Sequence, residues 1–407
     1  MKRRVLALSA VLLSIGLAVS CSGKKAEKTT IRFATWDSED TLELQQSIVD
    51  KFNAANPDVN VVLEGYGDDF DTKVAAGFGA GDAPDVMYMW NFAHYKDGLE
   101  ELDPWLAKES ADMKSDFYPT LLEYNSINGK LYGLPIGYTT HVVYYNKDLF
   151  DKAGAAYPEG DWTWDDLLAA AKKVARPKEK IYGFAFQGQP DPYDFEQYLW
   201  NAGSKYLGPD GTLKGGFDDP RVIALLEKMQ RAVKDGYAIS TEDSGAKELR
   251  SGKLAMFING SWSIPSLKTD KINFGLAKMP SVEARTKSIS VVSVSGISMY
   301  NKSKNKEAAW RFIKFWTGAE ANKLRIDHEM PVLRSVAESE NLMKDPEKGI
   351  FYEMLDQSGG HTPTSYVAAD WTTLSDTISQ ALQQIFNPSV LMSPAKAVGE
   401  AVSKSGK

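Results

Sequence analysis

The first third of this chain alternates between strand-like and helix-like patterns, and this alternation constrains its fold more than any other feature. Residues 31–34 alternate like a strand, and residues 41–54 place apolar side chains at every fourth position, which is typical of an amphipathic helix. A second strand is predicted at 59–63 and a third at 85–90, after a helical pattern over 70–78. Strand, helix and strand at this spacing predict βαβ units, a mostly parallel sheet and an α/β fold.

Helix-start signals continue through the rest of the chain. The segment from Thr163 to Asp166 resembles a capping box with Asp in place of the usual Glu, and it predicts a helix over 164–175. Asp219 before a proline predicts a helix that runs to about residue 234. A further helix is predicted over 305–316, and its tryptophans are expected to pack in the core.

The N-terminal 20 residues are excluded from the fold. A basic start precedes the 15-residue apolar run Val5–Val19, which is shorter than the ~20 residues that span a bilayer, so residues 1–20 are predicted to be a signal peptide. Residues 17–21 resemble a bacterial lipobox, which implies cleavage before Cys21 and lipidation of that residue. Ala18 stands where this pattern more often has Leu. The same residues fit an ordinary cleavage site, which would give a soluble secreted protein.

Charge and cysteine content exclude several classes of protein. Cys21 is the only cysteine, so no disulfide can form within the chain, and the 43% of hydrophobic residues must supply the core. Loss of three basic residues with the signal takes the formal charge from -7 to -10. An acidic chain is poorly suited to nucleic acid, which requires clustered Lys and Arg. Residues 21–30 are predicted to be a linker, whose lysines either contact anionic lipid or are simply solvated.

Motifs for catalysis are nearly absent. The four histidines have no metal-ligand spacing, and neither a G-x-S-x-G elbow nor a P-loop occurs, so we predict no metal and no cofactor. The glycines at 77–81 end a helix before a strand, which is the reverse of a dinucleotide loop. A pair of loop carboxylates could still serve a glycosidase, because that chemistry requires only two acids close in space.

Tryptophan placement is the most informative feature for function. Five of the ten tryptophans stand in loop-like contexts beside amides or acids. A flat apolar ring next to planar hydrogen-bonding groups suits a sugar, although structural packing is the alternative for each. These tryptophans are Trp36, Trp90, Trp200, Trp262 and Trp371.

Several segments, in order and spacing, resemble the extracellular solute-binding proteins of carbohydrate ABC importers, family 1, which are related to maltose-binding protein. The resemblance covers residues 31 to about 402. The segments that carry it are 79–86, 132–135, 144–150, 162–167, 256–262 and 308–315.

This resemblance implies the two-lobed periplasmic-binding-protein fold, type II, with a hinge that the chain crosses more than once and a ligand cleft between the lobes. Residues 30–137 and 280–330 are expected to form lobe 1, and residues 138–279 and 331–407 lobe 2. Closure of the lobes over a ligand is the hinge motion of such proteins.

The resemblance also implies which residues line the cleft. Thr139 and Thr140 are a departure, since relatives often have an acidic residue there. Arg334 falls in a segment expected to return near the cleft. The predicted ligand contacts are Asp37, Ser38, Asp69, Trp90, Asn91, Tyr138, Thr139, Thr140, Gln187, Gln189, Trp200, Asn201, Trp262, Arg334 and Trp371.

The predicted function is binding of a mono- or oligosaccharide outside the cytoplasm and its delivery to the permease subunits of an ABC transporter, without catalysis. We expect a monomer held at the outer face of a bacterial cell membrane by the lipid on Cys21. A binding protein for a non-sugar solute and a secreted glycoside hydrolase are the alternatives.

Overall fold

A computed structural model of the chain describes residues 28–187, 190–241, 244–283, 287–368 and 370–406. The predicted signal peptide and Cys21 lie outside the described residues. Among the helices that are described, none has the length and apolarity needed to cross a membrane.

The strands form two five-stranded sheets and one short hairpin. In chain order the strands are β1 Thr29–Thr35, β2 Val59–Gly65, β3 Val86–Met89, β4 Ser126–Ile127, β5 Lys130–Leu131, β6 Leu134–Thr140, β7 Val142–Asn146, β8 Tyr182–Gln187, β9 Ala238–Thr241, β10 Leu254–Asn259, β11 Phe274–Ala277 and β12 Val292–Met299.

The helices cover both sheets. In chain order they are α1 Glu39–Ala55, α2 Phe70–Ala80, α3 Phe92–Tyr95, α4 Asp103–Leu106, α5 Ala111–Ser115, α6 Pro119–Tyr124, α7 Lys147–Ala153, α8 Trp164–Val174, α9 Pro192–Asn201, α10 Pro220–Lys234, α11 Ala246–Arg250, α12 Ser263–Thr269, α13 Lys306–Thr317, α14 Ala319–Leu324, α15 Arg334–Ser339, α16 Gly349–Ser358, α17 Trp371–Phe386 and α18 Pro394–Ser405.

The first sheet has the order β2-β1-β3-β12-β6 and is mixed. Strands β1, β2 and β3 are parallel, and β12 is antiparallel to β3 and β6. Helix α13 packs against this sheet. The ring of its Trp316 lies 4.8 Å from that of Phe33 on β1, and Trp316 is fully buried. The expected packing role of this tryptophan is thereby confirmed.

The second sheet has the order β11-β7-β10-β8-β9. Strands β8, β9 and β10 are parallel, whereas β7 runs antiparallel to both of its neighbours. The predicted capping box is present, since Thr163 and Asp166 bond reciprocally at the start of α8. Helices α8, α10 and α17 surround this sheet, so each sheet has its own helical cover.

The chain crosses between the sheets at two places. Strand β6 ends the first sheet at Thr140 and β7 begins the second at Val142, so a single residue, His141, joins them. The return runs from β11, which ends at Ala277, to β12. Residues 138–140 therefore belong to a strand of the first sheet, and the first crossing comes later than the expected position near Gly137.

Candidate functional site: the edge where the two sheets meet

The carboxyl ends of the parallel strands of both sheets meet at His141. In the first sheet, β1 and β3 are parallel. Strand β6 runs in the same direction as β3, because both are antiparallel to β12. All three strands therefore end at this edge. In the second sheet, Asn259 at the end of β10 pairs with Val142, the residue that follows His141. Ligands of open α/β sheets bind outside the carboxyl ends of the strands, so this junction is the candidate site.

Strand β6 presents one of its faces to this site. Alternate residues of a strand point to opposite faces. Gly137 packs against Glu329, the hydroxyl of Thr139 accepts a 2.8 Å hydrogen bond from the backbone N–H of Ser261, and the ring of His141 lies 5.6 Å from that of Trp262. We call the face formed by residues 137, 139 and 141 the cleft face.

Acidic groups dominate the first-sheet side of the cleft face. Asp37 follows β1 and accepts hydrogen bonds from the Thr35 hydroxyl at 2.5 Å and from the amide of Gln45. Burial raises the pKa of Asp37, and these two hydrogen bonds offset part of the rise. The neutral donors hold the carboxylate in place at the end of the strand.

Glu329 is the second acid on this side. Burial raises its pKa to about 7, Arg325 opposes the shift, and the nearby Asp37 carboxylate adds to it. The Arg325 Nε lies 3.2 Å from Glu329 Oε2, but neither atom has a hydrogen-bond partner within the described residues. Glu329 can approach the backbone of β6 closely because Gly137 has no side chain. A Cβ added there would stand 2.9 Å from the Glu329 carboxyl carbon. The carboxyl group of Glu329 thus lies against the cleft face, beside the guanidinium of Arg325 and close to Asp37.

An exposed aromatic ring dominates the second-sheet side. Trp262 follows β10 and is 53% exposed, although it is large and apolar. Its ring lies over Gly260, where an added Cβ would come within 2.5 Å of it. The carbonyl of Gly260 accepts a 2.6 Å hydrogen bond from the Tyr144 hydroxyl, which anchors the turn. The turn holds the ring in place and leaves one apolar face uncovered.

A polar cluster lies directly beneath Trp262. His141 is buried and joins the N-terminal half of α9, where Gln197 Nε2 lies 3.1 Å from His141 Nδ1 and Asp194 Oδ1 lies 3.7 Å from His141 Nε2. Burial lowers the pKa of His141 to about 4 and raises that of Asp194 to about 6. The imidazole is therefore neutral at pH 7, and the carboxyl is mainly ionised.

Other predicted contacts lie along the first-sheet edge. Trp90 directly follows β3 and is 50% exposed, and Asn91 caps α3 by accepting a hydrogen bond from the backbone N–H of His94. Ser38 and Asp69 are exposed at the starts of α1 and α2. The position of Trp90 fits a ligand contact, whereas the Asn91 oxygen already serves its helix.

Two of the predicted contacts have roles in packing. Trp200 is buried against the ring of His361. Asn201 donates to the carbonyls of Gln197 and Ile289 and accepts from the Ile289 N–H. These bonds tie α9 to the segment before β12, and we leave both residues out of the contact set that we propose below.

Tyr138 and Thr140 point to the face of β6 opposite the cleft face. Tyr138 packs against Tyr352, and the Thr140 hydroxyl donates to the Phe351 carbonyl on α16. Arg334 lies on the same side, where its guanidinium stacks 4.4 Å from the ring centre of Tyr118. Because side chains alternate along β6, Thr139 lies on the cleft face, whereas Tyr138 and Thr140, which were also predicted ligand contacts, lie on the opposite face.

An open groove of about 810 Å³ lies beside Arg334 and is much larger than the cavity under Trp262. Its walls include Lys278 between two acids, Asp161 and Glu353, at 2.5 and 3.1 Å. We favour the cleft face as the binding site because Trp262 is exposed there and His141 Nε2 has no hydrogen-bond partner among the described residues, whereas the ionic groups in the groove neutralise each other.

Two more of the predicted residues, Gln187 and Trp371, lie on the second-sheet side. Gln187 ends β8 and accepts a 3.2 Å hydrogen bond from the backbone N–H of Asp191. Trp371 is half-buried at the first position of α17, one turn before Ser375, which lies near Gln187. Gln189 lies outside the described residues.

Sequence reasoning missed Glu329, His141, Asp194 and Gln197. Glu329 comes from a loop nearly 200 positions after β6 and carries no motif. A histidine directly after a strand that joins the lobes was a usable signal for His141. No group of three or more metal-binding side chains occurs in the part of the chain that is described.

Comparison with known proteins identifies the family of this chain. A family model described as bacterial extracellular solute-binding protein matches residues 35–323. The chain belongs to this family. It is 28% identical to the maltotriose-binding protein of Pyrococcus abyssi, over 79% of this chain and 71% of that protein. It is 31% identical to the sn-glycerol-3-phosphate-binding periplasmic protein UgpB of Escherichia coli K12, over 67% of this chain and 65% of that protein.

The fold of this family member matches solved structures. The ABC substrate-binding protein Lmo0181 of Listeria monocytogenes, in complex with cycloalternan, superposes with a TM-score of 0.78 at 24% identity, over 93% of this chain and 98% of that one. The predicted two-lobed periplasmic-binding-protein fold is confirmed. A family of extracellular binding proteins places the site of action outside the cytoplasm.

Proposed function

We propose that this solute-binding protein captures a mono- or oligosaccharide between the two sheets. The observation that carries the proposal is the half-exposed Trp262 ring at an edge that also presents acidic acceptors. A sugar offers CH groups to the ring and hydroxyl donors to the Asp37 and Glu329 carboxylates. Trp90 supplies a second exposed ring on the first-sheet side. The relative that binds maltotriose supports a carbohydrate ligand.

Closure of the lobes delivers the sugar to the permease subunits of an ABC transporter. The lobes are residues 30–140 with 280–330 and residues 142–279 with 331–407, and they hinge at His141 and where the chain passes between them again. The protein acts as a monomer, because one chain contributes both sides of the site. A lipid on Cys21 holds it at the outer face of the bacterial membrane. No bond in the sugar is broken.

Glycerol phosphate is a second candidate, because one relative binds it. A phosphate would require unpaired cations. Within the described residues at the cleft face, Arg325 lies against Glu329, and Asp37 adds another negative charge. This charge distribution favours a neutral sugar over an anion.

A titration of the mature protein tests the proposal. Tryptophan fluorescence is followed while maltose, maltotriose, D-glucose, D-tagatose or sn-glycerol 3-phosphate is added. A saturable change with at least one sugar supports the proposal, and saturation only with glycerol phosphate would replace it. Chromatography of the sugar afterwards tests for hydrolysis, because a glycosidase also uses two nearby carboxyl groups as its catalytic residues.

Membrane attachment has a separate test. The full chain is expressed in a bacterial host, and the mature protein is analysed by mass spectrometry and by detergent partitioning. Acylated Cys21 and partitioning into detergent support the anchor, and a Cys21→Ala variant is expected to remain soluble. An unmodified wild-type N-terminus would remove the anchor without affecting the proposed sugar site.

A further inference from the structure

A small cavity lies at the second-sheet edge beside His141, whose ring contacts that of Trp262. Its volume is about 50 Å³, enough for a water-sized group or a hydroxyl on its carbon but too small for a sugar ring. His141, Asp194 and Gln197 line it. His141 is only 4% exposed, and its Nε2 has no hydrogen-bond partner among the described residues. A buried polar atom without a partner is costly, and it calls for an occupant.

The protonation of His141 follows from its neighbours. The backbone N–H of Val291 donates to Gln197 Oε1 at 3.4 Å, which turns Gln197 Nε2 towards His141 Nδ1 at 3.1 Å. An amide nitrogen can only donate, so Nδ1 must accept and cannot carry the proton. In the neutral ring the proton is therefore on Nε2. His141 presents an N–H donor to the cavity.

Asp194 supplies the complementary acceptor. Its Oδ1 lies 3.7 Å from His141 Nε2, which is too far for a direct hydrogen bond. One oxygen atom placed beside both groups could be within about 2.8 Å of each. Only a hydroxyl or a water can accept from the imidazole and donate to the carboxylate through the same oxygen. The cavity thus has the chemistry of a hydroxyl receptor.

We propose that His141 and Asp194 form a subsite that reads one hydroxyl of the sugar whose ring stacks on Trp262. The hydroxyl accepts a hydrogen bond from His141 Nε2–H and donates one to the Asp194 carboxylate. Gln197 is a positioning residue that fixes the imidazole tautomer. This inference rests on the proposed sugar-binding function and adds the residues that determine which sugar is selected.

Deoxy analogues test the subsite directly. The tightest-binding sugar of the titration panel is compared with its monodeoxy analogues by calorimetry. We expect one analogue to bind the wild type at least about 10-fold more weakly, because the buried His141 donor and the partly exposed Asp194 carboxylate then lose their shared partner. In His141→Phe and Asp194→Asn, the parent sugar and that analogue should bind within about twofold of each other. Discrimination that persists in both variants would falsify the subsite.

Matched controls remove a histidine and a carboxylate elsewhere. His94 is exposed on α3, and Asp165 is exposed beside Lys228. The variants His94→Phe and Asp165→Asn should keep the discrimination of the wild type. If they lose it as well, the effect of the cavity variants is not specific and the proposal fails.

A spectroscopic measurement covers the case in which the cavity variants do not fold. Nitrogen-15 NMR of wild-type histidines reports which ring nitrogen carries the proton. We expect His141 to be protonated on Nε2, with a shift of that resonance on addition of the sugar. Protonation on Nδ1, or an unchanged resonance at saturation, overturns the subsite while sugar binding itself stands. Absence of binding by every sugar in the panel overturns both proposals.

Discussion

The two edges that meet at His141 use different chemistry. Each presents one half-exposed tryptophan, Trp90 on the first sheet and Trp262 on the second. Around the first, the nearby polar groups are ionic, with Asp37 and Glu329 beside a guanidinium. Around the second, the partner of the ring is a buried neutral imidazole.

This difference assigns different tasks to the two edges. Ionised acceptors bind hydroxyl donors strongly but tolerate many arrangements, because a carboxylate offers several lone pairs. A neutral imidazole in a confined cavity has one donor in one direction. We therefore expect the first edge to contribute mainly affinity and the second to contribute apolar contact and selectivity. The predictions below test this division, beginning with the largest effect.

Two tryptophans separate folding from binding. Trp316→Ala in the buried core should lower the free energy of unfolding by about 3–5 kcal/mol. Trp262→Ala should change that free energy by less than about 1 kcal/mol, because the ring is half exposed, yet weaken sugar binding by roughly 100-fold, or about 2.7 kcal/mol. Urea denaturation and calorimetric titration measure the two quantities. A large loss of stability in Trp262→Ala would return this ring to a packing role.

Glu196, a buried acid on α9, makes the stability of the protein depend on pH. Glu196 is fully buried and accepts from the backbone N–H and the hydroxyl of Thr364, and burial raises its pKa to about 7. Its folded pKa lies above the unfolded value of 4.5, so the folded state binds more protons between pH 4.5 and 7. This group should therefore reduce stability as pH rises through that window, by roughly 3 kcal/mol in total.

The Glu196→Gln variant isolates this contribution. Urea midpoints of wild type and variant are measured from pH 4.5 to 8, and the difference between them should move in favour of the variant as pH rises. Other titrating groups are common to both proteins and cancel. A difference that does not change with pH would mean that folding does not raise the pKa of Glu196.

A substitution at Gly137 tests the role of Glu329 on the first-sheet side of the cleft face. In Gly137→Ala the new Cβ would force Glu329 to move, and we expect a stability loss of about 1 kcal/mol and sugar binding weakened by about 10-fold. Gly79→Ala is a matched control, because an added Cβ there meets nothing within 4 Å. That helical substitution should stabilise the protein by about 0.5–1 kcal/mol and leave affinity unchanged. Equal affinities of the two variants would remove Glu329 from the site.

Arg334 tests the opposite face of β6. Arg334→Ala removes a cation stacked on Tyr118 in the open groove, so we expect a stability change below about 1 kcal/mol and an affinity change below twofold. The calorimetric titration used for Trp262 measures it. A tenfold loss would move the binding site to the groove side and would reinstate Arg334 as a ligand contact.

The sequence predicted the elements well but only part of the site. Local patterns predicted the strands that begin at residues 29, 59 and 86. They also predicted the helices that have capping signals. Trp262 and Trp90 were identified because a tryptophan after a strand and beside an amide is a local signal. Asn201 was assigned to the cleft on similar local grounds, but its amide is used to join α9 to Ile289.

The sequence by itself determined the α/β alternation and the family and reduced the candidate rings to five tryptophans, because periodicity and motifs are properties of neighbouring residues. The tertiary structure exposed two of the five, Trp90 and Trp262. Only the tertiary structure decided that Thr139 faces Ser261 while Tyr138 and Thr140 turn away, since a single-residue step reverses the face of a strand. It also brought Glu329 against Gly137 and set α9 beneath His141. Such contacts depend on how whole elements pack, and no local pattern along the chain records them.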